Sequence, residues 1–360
     1  MSGSRSFIFD YNDEIRVLLE PLMEEIRKNL DKYFVAFRTN PNRMTIYYKG
    51  QEAITLNLSP NNVWTIKSRK KTSSVKENYK KINEEFEEKL EEYQFLYDEE
   101  EIITSDMDCV KFLKINQKWI DDYYFGKESE KTIQGDIACH YQTLKNDLLC
   151  VDMEYIVSKE VKGDKDISGR YDLVFLKLNE MGKYEIIFAE LKSNRGACVD
   201  ATTGLINHIQ DMSNFILEYK SDKEFQEKIV GDILFSLEMK NKLRLIDSNI
   251  TSADIEFEAC KYFLIFKMVH DHKMYTPMTR GEVKKFILEE IDRVKYIKSL
   301  IPEHYSKLEK ILDEKVIDID GVTRIKKYEI EEEHYEHLFE KVFSQDAYYV
   351  DDKFCLKRIL

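Results

Sequence analysis

Glycine and proline are scarce, 12 and 5 in 360 residues. So few chain breakers leave little room for long flexible linkers or a glycine-rich phosphate loop. No apolar run reaches the length of a membrane-crossing helix. The opening stretch MSGSRSFIFDYNDE lacks the apolar core of a secretory signal. The six cysteines (109, 139, 150, 198, 260 and 355) stand apart, with no C-x-x-C pair and no framework spacing, and read as reduced, mostly buried thiols of a cytoplasmic protein. Positive charge is also in deficit: 55 Lys and Arg face 68 Asp and Glu, a net charge of −13. A uniformly basic nucleic-acid binder is thereby excluded, so any such contact must come from a local patch.

Several catalytic signatures are missing as well. There is no G-x-x-x-x-G-K-[ST], because Gly126-Lys127-Glu128 lacks the first glycine and the hydroxyl. His334 and His337, and His270 and His272, lack H-E-x-x-H spacing and read as surface histidines. No serine or cysteine sits in a nucleophile's context. If this chain hydrolyses anything, the nucleophile is water.

What is present is a core. Hydrophobic residues make up 43% of the chain, with 22 Tyr and 20 Phe, enough for one large domain or two to three ordinary ones. No repeat divides it. Ile15, Leu18, Leu19, Leu22, Ile26 and Leu30 are spaced as an opening helix. Strand-like runs follow at 33–37, 44–48, 53–58 and about 63–66, with turn chemistry at Asn40-Pro41-Asn42 and Lys49-Gly50-Gln51. From Val75 to Tyr97 the period becomes helical, with a strongly charged outer face. Residues 1–115 are therefore expected to form an α+β accessory domain. Its densest positive stretch, Lys67, Arg69, Lys70 and Lys71 followed by Lys76, Lys80 and Lys81, reads equally as a phosphate-holding patch or as a solvated turn.

Residues 116–275 differ. A helical pattern at 130–144 precedes strand patterns at 148–157, 171–178 and 184–191, read as a meander. Helices are expected at 201–220 and 223–245, and FEACKYFLIFKMV at 257–269 reads as a strand buried on both faces. The remainder, 276–360, is expected to be a mostly helical extension with a hairpin through Asp320-Gly321. The fold class is α/β, α+β overall: a mixed sheet flanked by helices in the middle, between the two flanking regions.

One constellation carries chemistry. YEIIFAELKSN has apolar residues on both sides of the alternation, as an interior strand does, until Glu190 and Lys192 break the pattern on one face at its C-terminal end. In the preceding strand Asp172 stands directly before Leu173-Val174-Phe175-Leu176. In antiparallel neighbours the start of one strand adjoins the end of the other, so Asp172, Glu190 and Lys192 are expected to converge. A buried carboxylate costs several kcal/mol unless paired or metal-bound. Two answers stay open: a structural ion pair, or a site for a hard divalent cation such as Mg²⁺ or Mn²⁺.

This pattern resembles the PD-(D/E)xK nuclease superfamily, in which an Asp at a strand start precedes (Asp/Glu)-x-Lys on the next strand. Here the match is Asp172 and then Glu190-Leu191-Lys192, with Tyr171 where the signature has proline. The resemblance covers about residues 125–270 and implies a restriction-endonuclease-like fold. Asp172, Glu190 and the Leu191 carbonyl would hold Mg²⁺ or Mn²⁺, and Lys192 would position or activate water. Members of the superfamily carry a further Glu on the helix before the first strand. Glu130 best fits that place as an added metal ligand and catalytic residue, in competition with Glu128 and Asp136. Gln210 fits a supporting glutamine on the following helix. Arg170 and Arg195 bracket the site as candidate nucleic-acid contacts, beside the Lys67 to Lys71 patch.

The implied activity is metal-dependent hydrolysis of DNA phosphodiesters by an endonuclease, leaving a 5′-phosphate. A restriction or anti-phage defence role, a homodimer or a defence-complex partner, and no membrane association complete the expectation. The alternatives are a catalytically inactive nuclease fold serving as a nucleic-acid-binding or assembly module, and a version that cleaves RNA.

Overall fold

The computed structural model describes residues 13–39, 42–58, 64–68, 101–102, 108–123, 129–159, 167–194, 198, 205–268, 278–286, 288–289, 316–319, 323–326, 347–351 and 353–358. Two compact units emerge, Met1–Met153 with Ile229–Asp254, and Glu154–Lys228 with Ile255–Leu360.

In the first unit, helix α1 (Asp13–Lys28) is followed by strands β1 (Tyr33–Thr39), β2 (Asn42–Tyr48), β3 (Gln51–Leu58), β4 (Trp64–Ser68) and β5 (Glu101–Ile102). They form one five-stranded sheet in sequence order, each pair antiparallel. Lys49 and Gly50 both take positive φ (48° and 70°), the backbone of a two-residue hairpin turn whose twist matches the strands. Val35, Phe37, Met44, Ile46, Leu56 and Ile66 bury one side of the sheet. They pack with Leu19, Leu22, Met23 and Ile26 of α1, and with Phe112, Leu113 and Trp119 of α2 (Cys109–Tyr123). Helix α3 (Glu130–His140), capped by Ser129 accepting from the Thr132 amide at 3.2 Å, lies against the Lys49–Gly50 turn. The approach is so close that a Cβ on Gly135 would stand 2.1 Å from the Gly50 nitrogen.

Strand β6 (Leu148–Lys159) and helix α5 (Lys223–Lys242) each contribute one part to this unit. Arg38 of β1 binds Asp152 through both carboxylate oxygens and donates to the Met153 carbonyl at 2.7 Å. Lys240 of α5 is 3% exposed. Its ammonium donates to the Val151 carbonyl at 2.9 Å and sits 4.1 Å from the centre of the Phe34 ring. Ser236 donates to the same carbonyl at 3.1 Å.

The second unit is built on a six-stranded mixed sheet in the order β13-β12-β9-β8-β7-β6. Its strands are β7 (Ile167–Leu178), β8 (Tyr184–Lys192), β9 (Ile255–Phe266), β12 (Ala347–Val350) and β13 (Leu356–Arg358), with β6 at the edge. β7 runs antiparallel to β8, whereas β9 runs parallel to both β8 and β12. A parallel neighbour requires a crossover, and α4 (Leu205–Ser221) with α5 supplies the intervening chain. Every residue of β8 from Ile186 to Lys192 is buried, as the apolar run on both sides of that strand predicts. Phe188 packs with Tyr171 of β7 and Phe215 of α4, their ring centres 4.7 and 4.9 Å away.

Mixed α+β architecture and a helix-flanked mixed sheet are thus as expected. From 276 onward the described residues include strands as well as helix. Residues 280–286 are helical, β10 (Val316–Ile319) and β11 (Thr323–Lys326) form the hairpin, and β12 and β13 add two strands to the sheet. The long helix expected over 75–97 lies outside the described residues. All six cysteines are free. Among the described residues no helix is long and apolar enough to cross a membrane.

The buried ammonium of Lys240 carries a testable cost. Burial pulls its pKa from 10.5 down to about 8, and Cys150 and Asp152 pull it partly back. The unfolded chain keeps that proton up to about pH 10.5, the folded chain only to about pH 8. Between those values the unfolded state binds more protons, so stability climbs with pH across the window, and below it the penalty is fully present. Lys240→Met is expected to raise the unfolding free energy at pH 7 by roughly 2–3 kcal/mol. In urea titrations its lead over wild type should shrink from pH 8 to 10.5; a lead that is absent or independent of pH would contradict the assignment.

Candidate functional site

The charged residues that interrupt the apolar pattern meet at the C-terminal end of β8. The β7–β8 ladder runs from Leu178↔Tyr184 to Leu173↔Ala189. One residue before its last rung, Asp172 Oδ2 accepts a hydrogen bond from the Leu191 amide at 2.8 Å. The carboxylate is thereby fastened to the residue between Glu190 and Lys192. Asp172 is half-buried, while Glu190 and Lys192 are 6% and 4% exposed. Lys192 Nζ donates to Glu190 Oε1 at 2.9 Å, as two side chains on the same face of a strand can. On the far side of β8 the parallel register sets Glu190 beside Leu264 and Lys192 beside Phe266, both apolar.

A third group reaches Glu190 from α4. His208 Nε2 lies 3.2 Å from the same oxygen, Oε1. His208, Met212, Phe215 and Tyr219 follow helical spacing. The last three are buried, and the His208 side chain, 27% exposed, stands in the first turn of the helix. The sequence pattern does not single it out. Its one local signal is a polar residue on a helix face that is otherwise apolar.

Burial pushes the Glu190 carboxyl above its usual range. The Lys192 ammonium and, more weakly, the Arg170 guanidinium act against that shift. The same charges are felt beneath the site. Tyr262 of β9, opposite Phe188, has its phenol raised first by burial and then by Glu190 and Asp172. Tyr171, in the place where the motif has proline, is raised by burial, Cys260, Asp211 and Glu190. Asp211, exposed on α4 one turn beyond His208, adds further negative charge.

The other expected residues fall as follows. Arg170 is exposed and ion-paired with Glu154 of β6, a residue in the left-handed region at φ 57°. Glu130 begins α3, in the first unit, and the groups gathered around Glu190 are all in the second. Gln210 lies on α4, its side chain outside the described residues. Lys67 is half-buried on β4 opposite Thr55. Arg69, Lys70, Lys71 and Arg195 lie outside the described residues, as does Glu128. The Leu191 side chain is buried in the core.

Two carboxylates and the main-chain carbonyl of Leu191 form an all-oxygen set suited to a hard cation. Among the described residues no three His, Cys, Asp or Glu side chains gather closely enough to hold a metal by themselves. A cation here would therefore keep several waters, as Mg²⁺ does. An open cleft lined by Lys220, Lys223, Gln226 and Glu258 lies near the start of β9, at the opposite end of that strand from the partner of Glu190, and contains none of these groups.

The Glu190–Lys192 pair makes a stability prediction independent of any activity. Lys192→Ala leaves a buried carboxylate with its ammonium partner gone and should cost about 3–5 kcal/mol at neutral pH. Replacing both, as Glu190→Gln with Lys192→Met, should recover most of that loss. Chemical denaturation of the three proteins measures it, and a single-variant cost below about 1 kcal/mol would show that the pair does not carry the burial. Set against family models, curated proteins and solved structures, the chain matches none of them.

Proposed function

We propose that the end of β8 is the catalytic centre of a metal-dependent nuclease that hydrolyses DNA phosphodiesters. The observation that carries this reading is Glu190. It is a carboxylate on a residue only 6% exposed, next to a second carboxylate fastened to the adjoining amide. A structural ion pair explains Glu190 with Lys192. It leaves unexplained why Asp172 is also drawn to this point.

In this reading Asp172, Glu190 and the Leu191 carbonyl hold a divalent cation. Such an ion polarises a phosphoryl oxygen and lowers the pKa of a bound water. The chain's own groups do the rest. Lys192 Nζ, held by Glu190, orients the attacking water and offsets the charge that grows on the phosphoryl oxygens. Arg170, exposed beside the pair, meets the phosphate backbone of the substrate. The aromatic layer of Phe188, Tyr171, Phe215 and Tyr262 closes the site from below and keeps its dielectric low, which strengthens each of these interactions. The resemblance to PD-(D/E)xK nucleases agrees with this assignment of roles and adds a 5′-phosphate product. A restriction or phage-defence setting and a homodimeric enzyme belong to the same proposal by analogy.

Plasmid nicking by the purified full chain tests it. Activity should require Mg²⁺ or Mn²⁺ and should fall at least about a hundredfold in Asp172→Asn and in Lys192→Met. Thermal melts should show that both variants remain folded. Wild-type rates in either folded variant, or cleavage undiminished by a chelator, would remove the proposal. Parallel digestion of labelled DNA and RNA separates the two substrates.

A further inference from the structure

The cleft near the start of β9 is built within the second unit, away from the charged end of β8. Its volume of about 950 Å³ is that of a small-molecule site. An irregularity in β9 shapes one wall. Tyr184 pairs with Ile255 and Ile186 with Cys260, so Glu256, Phe257, Glu258 and Ala259 together stand against the single residue Glu185. The surplus bulges from the ladder, a device by which strands re-aim side chains. Polar contacts tie the bulge on both sides: Asn179 donates to Glu256 and Lys261 to Glu185, each at 2.7 Å. Between those ties, Phe257 and Glu258 line the cleft.

The facing wall comes from the joint of α4 and α5. Lys220 and Ser221 close α4, and Lys223, Gln226 and Glu227 share one face of the first turns of α5. Both lysines are exposed, whereas Gln226 is 9% exposed. Glu227 is loosely paired with Lys223 at 3.9 Å. Asp222 already caps α5, accepting from the Phe225 amide at 3.0 Å, so the two ammoniums rather than the helix end are what can draw an anion here.

We propose that this cleft binds a nucleoside phosphate. Lys220 and Lys223 hold the phosphate. Phe257 offers a flat apolar face on which the base stacks, and the Gln226 carboxamide presents the donor and acceptor that match an adenine edge. Glu258, on the strand wall, accepts from the ribose hydroxyls, as a carboxylate does in other nucleotide sites. The order of groups selects this class: cations on one wall, ring and carboxylate on the other. Inorganic phosphate would leave Phe257 and Gln226 unused, and a free amino acid would leave most of the volume unfilled. The inference is independent of the catalytic reading of β8.

Calorimetric titration of the full chain with ADP tests it, in EDTA so that no divalent ion takes part. ADP is expected to bind with a Kd below about 1 mM, and adenosine and inorganic phosphate each at least about tenfold more weakly. Lys220→Ala with Lys223→Ala should weaken ADP at least about tenfold. Phe257→Ala should weaken it at least about fivefold, and Phe257→Leu, which keeps the apolar bulk but not the ring, should do likewise. Asp172→Asn should bind ADP as wild type does. The proposal is overturned if ADP fails to bind at about 5 mM, if affinity is unchanged in the folded cleft variants, or if binding is lost in Asp172→Asn. Failure of plasmid nicking with ADP binding intact would remove the nuclease reading alone.

Discussion

A carboxylate that has left water must be answered by something, and the end of β8 is arranged around that demand. Glu190 is 6% exposed at the close of a strand buried on both faces. Its partner comes from its own strand, because same-face spacing two residues apart is the shortest way to bring an ammonium to it. The neighbouring strand contributes a second carboxylate, turned onto the Leu191 amide where the ladder ends. The following helix contributes an imidazole. Three successive elements, β7, β8 and α4, thus bring polar groups to one point around a buried carboxylate that would be costly alone.

The sheet explains why this point is available. β7 and β8 are antiparallel, so the beginning of one adjoins the end of the other. β9 returns parallel to β8 and seals its second edge with Leu264 and Phe266. Approach to the charged cluster is left to the side bearing the half-buried Asp172 and the partly exposed His208. The first unit uses buried charge differently. Arg38 is fully engaged by Asp152 and Met153, and Lys240 by a single carbonyl and a ring face. Those contacts serve packing, whereas the cluster on β8 adjoins the half-buried Asp172 and the partly exposed His208.

Much of the second unit's centre is legible in the sequence, because its signals are local. YEIIFAELK alternates apolar residues on both faces and then breaks into Glu-x-Lys, which fixes both the strand and the end at which charge collects. Asp172 before an apolar run marks the matching strand start. His208 is not legible in this way. It lies 16 residues beyond Lys192, and only folding of α4 onto the sheet brings it to Glu190. β12 and β13 escape notice for a related reason: with four and three residues they carry too little periodicity, and β12 is defined by pairing with β9 some 80 residues earlier. The compact units divide inside β6 after Met153 and inside α5 after Lys228, where no change of composition marks a boundary. Lys240 reads in the sequence as one more charge on a helix, and only the packing of Phe34 and Val151 around it reveals a buried ammonium.

The most direct measurement is the anomalous difference density of a crystal of this protein soaked in Mn²⁺. The account predicts one strong peak in the second unit, bounded by the carboxylates of Asp172 and Glu190, with Lys192 still in place beside them. No peak there in a fully soaked crystal, with Glu190 holding only Lys192 and His208, would reduce the site to a structural ion pair and contradict the account.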